Sequence, residues 1–276
     1  MPEGDTVWRQ ARQLDQALTG KILTRCDIRV PTFATVDFTG SLVEGVQSRG
    51  KHLLIRVAGA LIHSHLKMEG SWHVYPADGP ATGTARNTVK WRRPAFTARC
   101  ILGTKDATAV GFSLGLLEVL AQEREADAVG YLGPDLLGPD WDAEVALRRI
   151  SAAPARSIGL ALLDQRNLAG IGNVFRCELC FLAGVHPALP VSDVAALPRL
   201  IEQSKRLLEA NKNRSSRSTT GGPARGDAAV WVYGRESKPC KRCGALIRHG
   251  TLPDPQFPAQ RARDIYYCPR CQPPPA

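Results

Sequence analysis

The chain has 276 residues, a formal net charge of +10 and a hydrophobic content of 43%. That length accommodates two modest domains, each with its own core. No stretch approaches the roughly 18 uninterrupted apolar residues of a membrane-spanning helix, and the N-terminus lacks a basic segment followed by an apolar one. A membrane protein and a secreted protein are therefore not expected, and the expected location is the cytoplasm.

The positive charge is concentrated near the C-terminus. Residues 205–276 hold 14 Lys and Arg against five Asp and Glu. Such a block attracts polyanions, and because it coexists with cysteine pairs, nucleic acid is favoured over a membrane surface as the partner. A solvated basic face is the alternative that charge alone leaves open.

The N-terminus carries the first candidate reactive group. Removal of Met1 would leave Pro2 as a secondary amine beside the Glu3 carboxyl group. An α-amino group titrates at about 7.7 to 8.0, so its unprotonated fraction can attack a carbon centre and form an iminium ion. An exposed, disordered terminus is the alternative. A helix is predicted over residues 6–19 with Asp5 or Thr6 as its cap, and its positive end disfavours protonation of a nearby amine.

Residues 21–112 have the pattern of short strands. Apolar and β-branched segments are punctuated by Gly and Pro with no long helix between them, which predicts an antiparallel β-sandwich or barrel. The predicted strands cover residues 22–28, 41–47, 52–57, 60–65, 71–75, 96–102 and 108–112. Residues 114–121 are predicted to close the domain with a short helix.

Beyond residue 124 the periodicity becomes helical. Repeated Gly and Pro predict an interdomain linker over 125–142. The predicted helices cover residues 143–152, 158–164, 173–183 and 193–211, with Pro198 starting or splitting the last one. Residues 211–226 are rich in Ser, Thr, Gly and Arg and are predicted to form a mobile basic loop that presents Arg214 and Arg217.

Four of the eight cysteines form a metal-ligand pattern. Cys240 and Cys243 make one CxxC pair, and Cys268 and Cys271 make a second pair after 24 intervening residues. Two such knuckles predict a closed tetrahedral site for one structural Zn2+, with no open position for activating water. The other cysteines are interpreted as small core residues: Cys26, Cys100, Cys177 and Cys180.

Several segments together resemble one enzyme family. They are Met1-Pro2-Glu3-Gly4, Arg49-Gly50-Lys51, the segment 162–173 with its Leu-Ala-Gly-Ile-Gly-Asn end, and the four-cysteine finger. In this order the chain resembles the bifunctional DNA glycosylases of the formamidopyrimidine-DNA glycosylase and endonuclease VIII family. The resemblance implies a multidomain α+β fold that binds damaged DNA, duplex or single-stranded, as a monomer. A bacterial member would be associated with the nucleoid.

The domain limits follow from the predicted linker and the change of periodicity, and the resemblance gives each domain its kind. The chain is divided into an N-terminal β-sandwich with its leading helix over residues 1–124 and, after the linker, a helix-two-turns-helix domain over 143–234. The zinc finger is placed at 235–276.

The resemblance also implies catalytic roles near the N-terminus. Mature Pro2 would attack C1′ of the damaged nucleotide, and Glu3 would move the protons during ring opening and strand cleavage by β- and then δ-elimination. Lys51, in the hairpin between two predicted strands, would contact a phosphate and assist as a proton donor. A solvated turn lysine is the alternative for Lys51.

Further DNA contacts are implied in the second half. Asn173 lies at a predicted helix start, a favourable place for a backbone phosphate, and an N-cap is its structural alternative. Arg263 matches the finger arginine of the family, which would grip a phosphate and assist δ-elimination. Arg261 is a close competitor because the segment 252–262 is longer than usual. A solvated surface position is the alternative for either arginine.

The segment Lys67-Met68-Glu69 falls where relatives carry residues that fill the gap left by an everted base. Met68 is the candidate wedge, and a buried strand position is its alternative. Glu69 is unusual beside DNA, and Thr6 replaces a second N-terminal glutamate common in the family. The N-terminal start and this segment look more like endonuclease VIII, which favours oxidised pyrimidines as substrates. A glycosylase for oxidised purines and a catalytically inactive DNA-binding homologue are the alternatives.

Overall fold

The structure is a computed structural model that describes residues 2–77, 90–222, 226–259 and 261–275. The chain divides into two compact units, residues 1–131 (unit 1) and residues 132–276 (unit 2). Within the described ranges, no helix combines the length and the apolar character needed to cross a membrane.

Unit 1 begins with helix α1, Gly4–Leu18. The carbonyl oxygen of its N-cap residue, Glu3, accepts hydrogen bonds from the backbone N–H groups of Thr6 (2.9 Å) and Val7 (3.0 Å). The predicted cap at Asp5 or Thr6 is therefore wrong, because both residues already lie in the first turn. The buried apolar side chains of α1 recur at helical spacing: Val7, Ala11, Leu14 and Leu18.

Among the described residues of unit 1, eight strands form two four-stranded antiparallel sheets after α1. They are β1 (Arg25–Ile28), β2 (Val43–Arg49), β3 (His52–Val57), β4 (Ala60–His65), β5 (Ser71–Pro76), β6 (Ala98–Gly103), β7 (Ala107–Phe112) and β8 (Leu116–Ala121). The strand orders are β1-β6-β7-β5 and β2-β3-β4-β8. The predicted β-sandwich is confirmed, and one core cluster joins α1 to residues of both sheets, among them Leu53 and Leu102.

The predicted helix over residues 114–121 is wrong. Most of that segment is β8, which pairs antiparallel with β4 so that Leu120 lies opposite Leu61 and Leu117 opposite Ser64. Leu, Glu and Ala favour a helix in isolation, but the edge of β4 offers a row of unpaired backbone groups. Pairing along that edge overrides the local propensity.

The segment 125–142, predicted as a linker, is partly helical. Helix α2 covers Glu125–Val129, and Arg56 of β3 holds Glu125 through two hydrogen bonds of 2.6 and 2.8 Å from one guanidinium nitrogen. The division between the two units, after residue 131, also falls within this segment.

The described part of unit 2 contains four further α-helices, α3 (Ala143–Ser151), α4 (Ile158–Leu163), α5 (Asn173–Ala183) and α6 (Leu197–Asn211). Their bounds follow the predicted periodicity within a few residues. Pro198 lies in the first turn of α6, where the absence of its N–H removes no helical hydrogen bond. The last two strands form an antiparallel hairpin of β9 (Arg248–Leu252) and β10 (Arg263–Tyr267).

The loop after α6 is hydrogen-bonded to the last residue of that helix at Ser218. Ser218 and Thr219 are buried. The side chain of Asn211 accepts a hydrogen bond from the Ser218 N–H (2.7 Å) and donates one to the Ser218 carbonyl (3.0 Å). Residues 223–225 of the predicted loop lie outside the described residues.

Candidate active site and nucleic-acid interface

The N-terminal residues stand at the start of α1. Pro2 is half-buried, whereas Glu3 is fully buried. The first turn of a helix has backbone N–H groups without helical partners, and their partial positive charge stabilises a carboxylate and disfavours a protonated amine. Asp5 is also buried, and its Oδ1 accepts a hydrogen bond of 3.3 Å from the Thr6 hydroxyl. Removal of Met1 would therefore place an amine directly before the buried Glu3, in a helix end that also carries the buried Asp5.

Lys51 occupies a tight hairpin turn, as its sequence context predicted. Gly50 and Lys51 are the only two residues between β2 and β3, and the pair Arg49 and His52 closes the turn. Gly50 has a φ of 58°, which lies in the left-handed region that two-residue hairpin turns use. This rigid turn carries the Lys51 side chain at one end of the β2-β3-β4-β8 sheet.

Lys67, Met68 and Glu69 form the turn between β4 and β5. Lys67 has a φ of 52°, and its N–H donates a hydrogen bond of 2.9 Å to the Nδ1 atom of His65. Met68 is 66% exposed, so its interpretation as a buried strand residue is wrong. Lys67 packs over Gly115, where an added Cβ would come within 2.6 Å of the Lys67 Cβ.

A buried histidine network lies beside these two turns, and the sequence reasoning did not identify it. His52 Nδ1 lies 2.7 Å from His63 Nε2, and His63 Nδ1 lies 2.8 Å from Glu118 Oε1. His52 Nε2 lies 3.0 Å from the Tyr131 hydroxyl. The ring of His65 packs edge-on against that of His52, with 5.0 Å between centroids.

The positive charges of Lys51 and Lys67 both act on the histidines of the network. Burial is the largest cause that lowers the pKa of His52, and the charges of His63, His65, Lys67 and Lys51 add to it, so that the pKa is about 3. Burial, Lys67, Lys51 and His63 likewise lower the pKa of His65 to about 4. Both imidazoles are therefore neutral near pH 7, and the positive charge at this end of the sheet comes from the two lysines.

Acid is expected to destabilise unit 1 through these histidines. The unfolded chain takes up a proton at His52 near pH 6.5, whereas the folded chain does so only near pH 3. The free energy of unfolding is therefore retained above pH 6.5 and falls as the pH drops from 6.5 toward 3, by on the order of 3 kcal/mol between pH 7 and pH 4 for His52. Urea denaturation at several pH values measures this change. A His52→Gln variant with the same pH dependence as the unsubstituted protein would contradict it.

Asn173 is the first residue of α5, and its side chain is engaged with the C-terminal hairpin. Its Nδ2 donates a hydrogen bond of 2.9 Å to the carbonyl of Asp264 in β10, and its Oδ1 accepts one from Arg176. Arg176 donates a second bond of 2.7 Å to the same carbonyl. The N-cap is Gly172, so the interpretation of Asn173 as an N-cap is wrong.

Arg263 and Arg261 are both exposed near the open end of the hairpin. Arg263 is the first residue of β10 and pairs with Leu252, whereas Arg261 lies two residues earlier, outside the strand. The two hydrogen bonds to the carbonyl of Asp264 fix the backbone directly after Arg263. Arg263 is therefore held more rigidly at its backbone than Arg261.

Arg214 and Arg217 lie in the loop after α6. The guanidinium of Arg217 sits over the ring of Phe175 at 4.5 Å from its centroid, a cation–π contact that directs this side chain. Arg214 is exposed, and its N–H donates a hydrogen bond of 2.9 Å to the Asn211 carbonyl. The side chain of Arg217 and the backbone of Arg214 are thus each held by a contact within unit 2.

The four predicted zinc ligands come together. The sulfur atoms of Cys240, Cys243, Cys268 and Cys271 all lie within 4.8 Å of one another. The Sγ atoms of Cys243 and Cys268 are 3.4 Å apart, and those of Cys240 and Cys271 are 4.0 Å apart. A tetrahedral ZnS4 site with bonds of about 2.3 Å requires sulfur–sulfur distances of about 3.8 Å, so these residues fit one Zn2+.

The cysteines outside this set are placed as predicted, with one difference. Cys100, Cys177 and Cys180 are fully buried, whereas Cys26 is half-buried at the edge of the core. Cys177 packs with Cys240 and Cys268 in one apolar cluster, so α5 contributes to the packing around the four-cysteine site.

Two family models match the chain. The formamidopyrimidine-DNA glycosylase N-terminal domain matches residues 1–112, and the formamidopyrimidine-DNA glycosylase H2TH domain matches residues 132–218. The chain belongs to the formamidopyrimidine-DNA glycosylase family. The resemblance stated from the sequence motifs is thereby confirmed, together with the helix-two-turns-helix (H2TH) domain.

Individual members of the glycosylase family are similar over their full length. A probable endonuclease 8 2 of Streptomyces coelicolor is 53% identical, with 100% of this chain and 95% of that protein covered. The DNA-(apurinic or apyrimidinic site) lyase Nei2 of Mycolicibacterium smegmatis is 47% identical, with 99% of both chains covered. The predicted likeness to the endonuclease VIII branch and the enzyme class, DNA glycosylase and apurinic/apyrimidinic (AP) lyase, are confirmed.

Solved structures support the fold. The Lactococcus lactis formamidopyrimidine-DNA glycosylase, bound non-covalently to DNA with an AP site, superimposes with a TM-score of 0.76 at 21% identity. The match covers 99% of this chain and 100% of that chain. The architecture of this glycosylase family member is thus shared with a protein whose sequence has diverged widely.

Proposed function

We propose that the mature chain, starting at Pro2, excises oxidised bases from DNA, with oxidised pyrimidines favoured, and then cleaves the strand. The observation that carries this proposal is the placement of Pro2 and a fully buried Glu3 at the N-terminus of α1 in a member of a glycosylase and lyase family. The helix end keeps the amine available as a nucleophile, and burial shields the carboxyl group from bulk water.

The reaction needs one amine and one carboxyl group. The Pro2 nitrogen attacks C1′, the bond from C1′ to the base breaks, and the base leaves with a proton delivered through Glu3. O4′ then leaves C1′ and takes up a proton, which opens the sugar and leaves an iminium ion. Loss of the acidified C2′ proton expels the 3′ phosphate, a second elimination expels the 5′ phosphate, and water hydrolyses the iminium to restore the amine.

Basic residues on both units supply the proposed DNA contacts. In unit 1, Lys51 and Lys67 lie on adjacent turns at one end of a sheet. In unit 2, the helix start at Asn173 offers backbone N–H groups to a phosphate, while its side chain holds the hairpin that carries Arg263. The other proposed phosphate contacts are Arg214, Arg217 and Arg261, with Arg263 as the finger arginine.

One Zn2+ bound to the four cysteines would hold the β9–β10 hairpin. Four thiolate ligands leave no open coordination position, so the metal supports the fold and the reacting groups lie elsewhere. We further propose that the enzyme acts as a monomer on DNA in the cytoplasm, at the nucleoid of a bacterial cell.

The lesion preference rests on the exposed Met68 turn and on the names of the relatives. An apolar side chain that is 66% exposed at a turn beside two lysines is suited to fill the gap that an everted base leaves. Excision from duplexes that carry thymine glycol or 8-oxoguanine tests the preference. Faster single-turnover excision of thymine glycol is expected, and faster excision of 8-oxoguanine would favour the oxidised-purine alternative.

A catalytically inactive DNA-binding homologue is the second candidate, and Thr6 and Glu69 are the departures that favour it. Borohydride reduction separates the two functions, because an iminium intermediate becomes a stable protein–DNA bond. Protein with a verified Pro2 terminus should be trapped on abasic DNA. DNA binding without any trapped adduct would establish the inactive homologue.

A further inference from the structure

The histidine network spans three neighbouring strands. Glu118 of β8 lies directly opposite His63 of β4, and His65 of β4 lies directly opposite His52 of β3. His63 lies opposite Leu54, which places it diagonally from His52 on the same face of the sheet. The four polar side chains therefore form one continuous group at the end of the sheet that carries the Gly50–Lys51 turn.

Every ring nitrogen of the two central histidines has a partner. His63 lies between Glu118 (2.8 Å) and His52 (2.7 Å), and His52 lies between His63 and the Tyr131 hydroxyl (3.0 Å). His63 is 1% exposed. Because a buried imidazole that loses one partner leaves a polar atom without water or protein to satisfy it, this chain of bonds fixes the rotation of both rings.

His52 connects the network to both proposed DNA-contacting turns of unit 1. Its backbone closes the turn that carries Lys51. Its ring packs edge-on against His65 at 5.0 Å, and His65 Nδ1 accepts the Lys67 N–H bond that supports the left-handed conformation of Lys67. A rotation of the His52 ring would therefore disturb both turns at once.

We propose that Glu118 and His63 are positioning residues that lock His52, and that His52 thereby holds the Lys51 turn and the Lys67–Met68 turn in the geometry that grips DNA. This inference rests on the proposed function, since the two turns are proposed DNA contacts. The network acts through position, and none of its members is assigned a contact with the reacting atoms.

Substitution of His63 tests the proposal. His63→Leu removes the partner of His52 Nδ1, whereas His63→Gln retains a polar group able to reach that atom. The probe is a duplex with a tetrahydrofuran abasic analogue, which the lyase cannot cleave. We expect His63→Leu to raise the dissociation constant by about tenfold and His63→Gln to raise it by less than about threefold.

The matched control is His73→Leu. His73 lies on β5 in the other sheet, where its Nε2 is 3.1 Å from the Ser71 hydroxyl, so the same substitution there leaves the network intact. It should bind the probe as the unsubstituted protein does. If His63→Leu fails to fold, Glu118→Leu takes its place in the comparison, because it breaks the same series of hydrogen bonds at the Glu118 end.

A substitution cycle with the double variant Lys51→Ala/Lys67→Ala separates positioning from a general loss of structure. If the network acts through these two turns, adding His63→Leu to the double variant should change the dissociation constant by less than about threefold, because both contacts are already lost. An unchanged constant for the single His63→Leu variant, or a full tenfold effect in the Lys51→Ala/Lys67→Ala background, would overturn the proposal. Absence of probe binding and of borohydride trapping in the unsubstituted protein would instead contradict the proposed function.

Discussion

Replacing Pro2 by glycine, in protein whose Met1 is verifiably removed, is expected to lower the rate of strand cleavage at an abasic site by roughly 10²-fold, equivalent to about 2.7 kcal/mol of barrier. A secondary amine gives an iminium ion that keeps its charge, because its nitrogen has no proton to lose. A primary amine gives an imine that is neutral unless it is protonated, so the C2′ proton is less acidic. The rate is measured in single-turnover assays on a duplex with one abasic site.

Glu3→Gln tests the carboxyl group in a single-turnover assay on a duplex that carries thymine glycol. Proton transfer by a positioned side chain contributes about 10²- to 10⁴-fold, so base excision should fall by that range while DNA binding is retained. The control is Gln16→Ala, which removes an exposed side chain from the same helix and should leave the rate unchanged.

For the first prediction, full lyase efficiency of Pro2→Gly would show that the secondary amine has no special role.

Loss of the metal should have the second large effect. Cys268→Ser is expected to abolish the stoichiometric binding of one Zn2+ and to weaken binding to abasic DNA by at least about tenfold, or ~1.4 kcal/mol. A two-stranded hairpin is marginal on its own, and structural zinc supplies about 10–16 kcal/mol in finger peptides. Without it, β9 and β10 would lose the support that directs Arg263.

Metal analysis and a fluorescence binding titration on the same samples check this result. Cys26→Ser is the matched control, because Cys26 is half-buried in unit 1 and belongs to no metal cluster found among the described residues. It should retain one Zn2+ and full DNA affinity. Unchanged affinity in a Cys268→Ser protein shown to be free of metal would exclude a zinc-supported contact with DNA.

Local pattern alone predicted most of the secondary structure. Strands β3 and β4 match their predicted limits to the residue, since two short runs with consecutive apolar residues, separated by the two-residue Ala58-Gly59 turn, define a hairpin without reference to the rest of the chain. β8 was missed because its partner, β4, is distant in sequence. A segment of helix-forming residues reveals nothing about an open sheet edge more than 50 positions away.

The metal site could be predicted because its ligands are paired within four residues, so spacing alone indicates geometry. Two buried charged residues of α5, by contrast, could not be predicted from spacing. Arg176 and Glu178 lie in an apolar stretch that was interpreted as a core helix, yet both are fully buried. The carboxylate of Glu178 accepts backbone N–H bonds of 2.7 to 2.9 Å from Trp231, Val232 and Tyr233. The sequence signal for these buried roles was a charged residue within an otherwise apolar helix.

By itself the sequence determined the family, the four-cysteine cluster and the order of the domains, and it indicated the candidate N-terminal amine, because each depends on residues that are close together in the chain. Only the tertiary structure showed that His52, His63 and Glu118 form one network and that Asn173 holds the carbonyl beside Arg263. The physical reason is that hydrogen bonds depend on distances of about 3 Å between side chains, and the chain path that brings distant residues to such distances is set by strand pairing and packing.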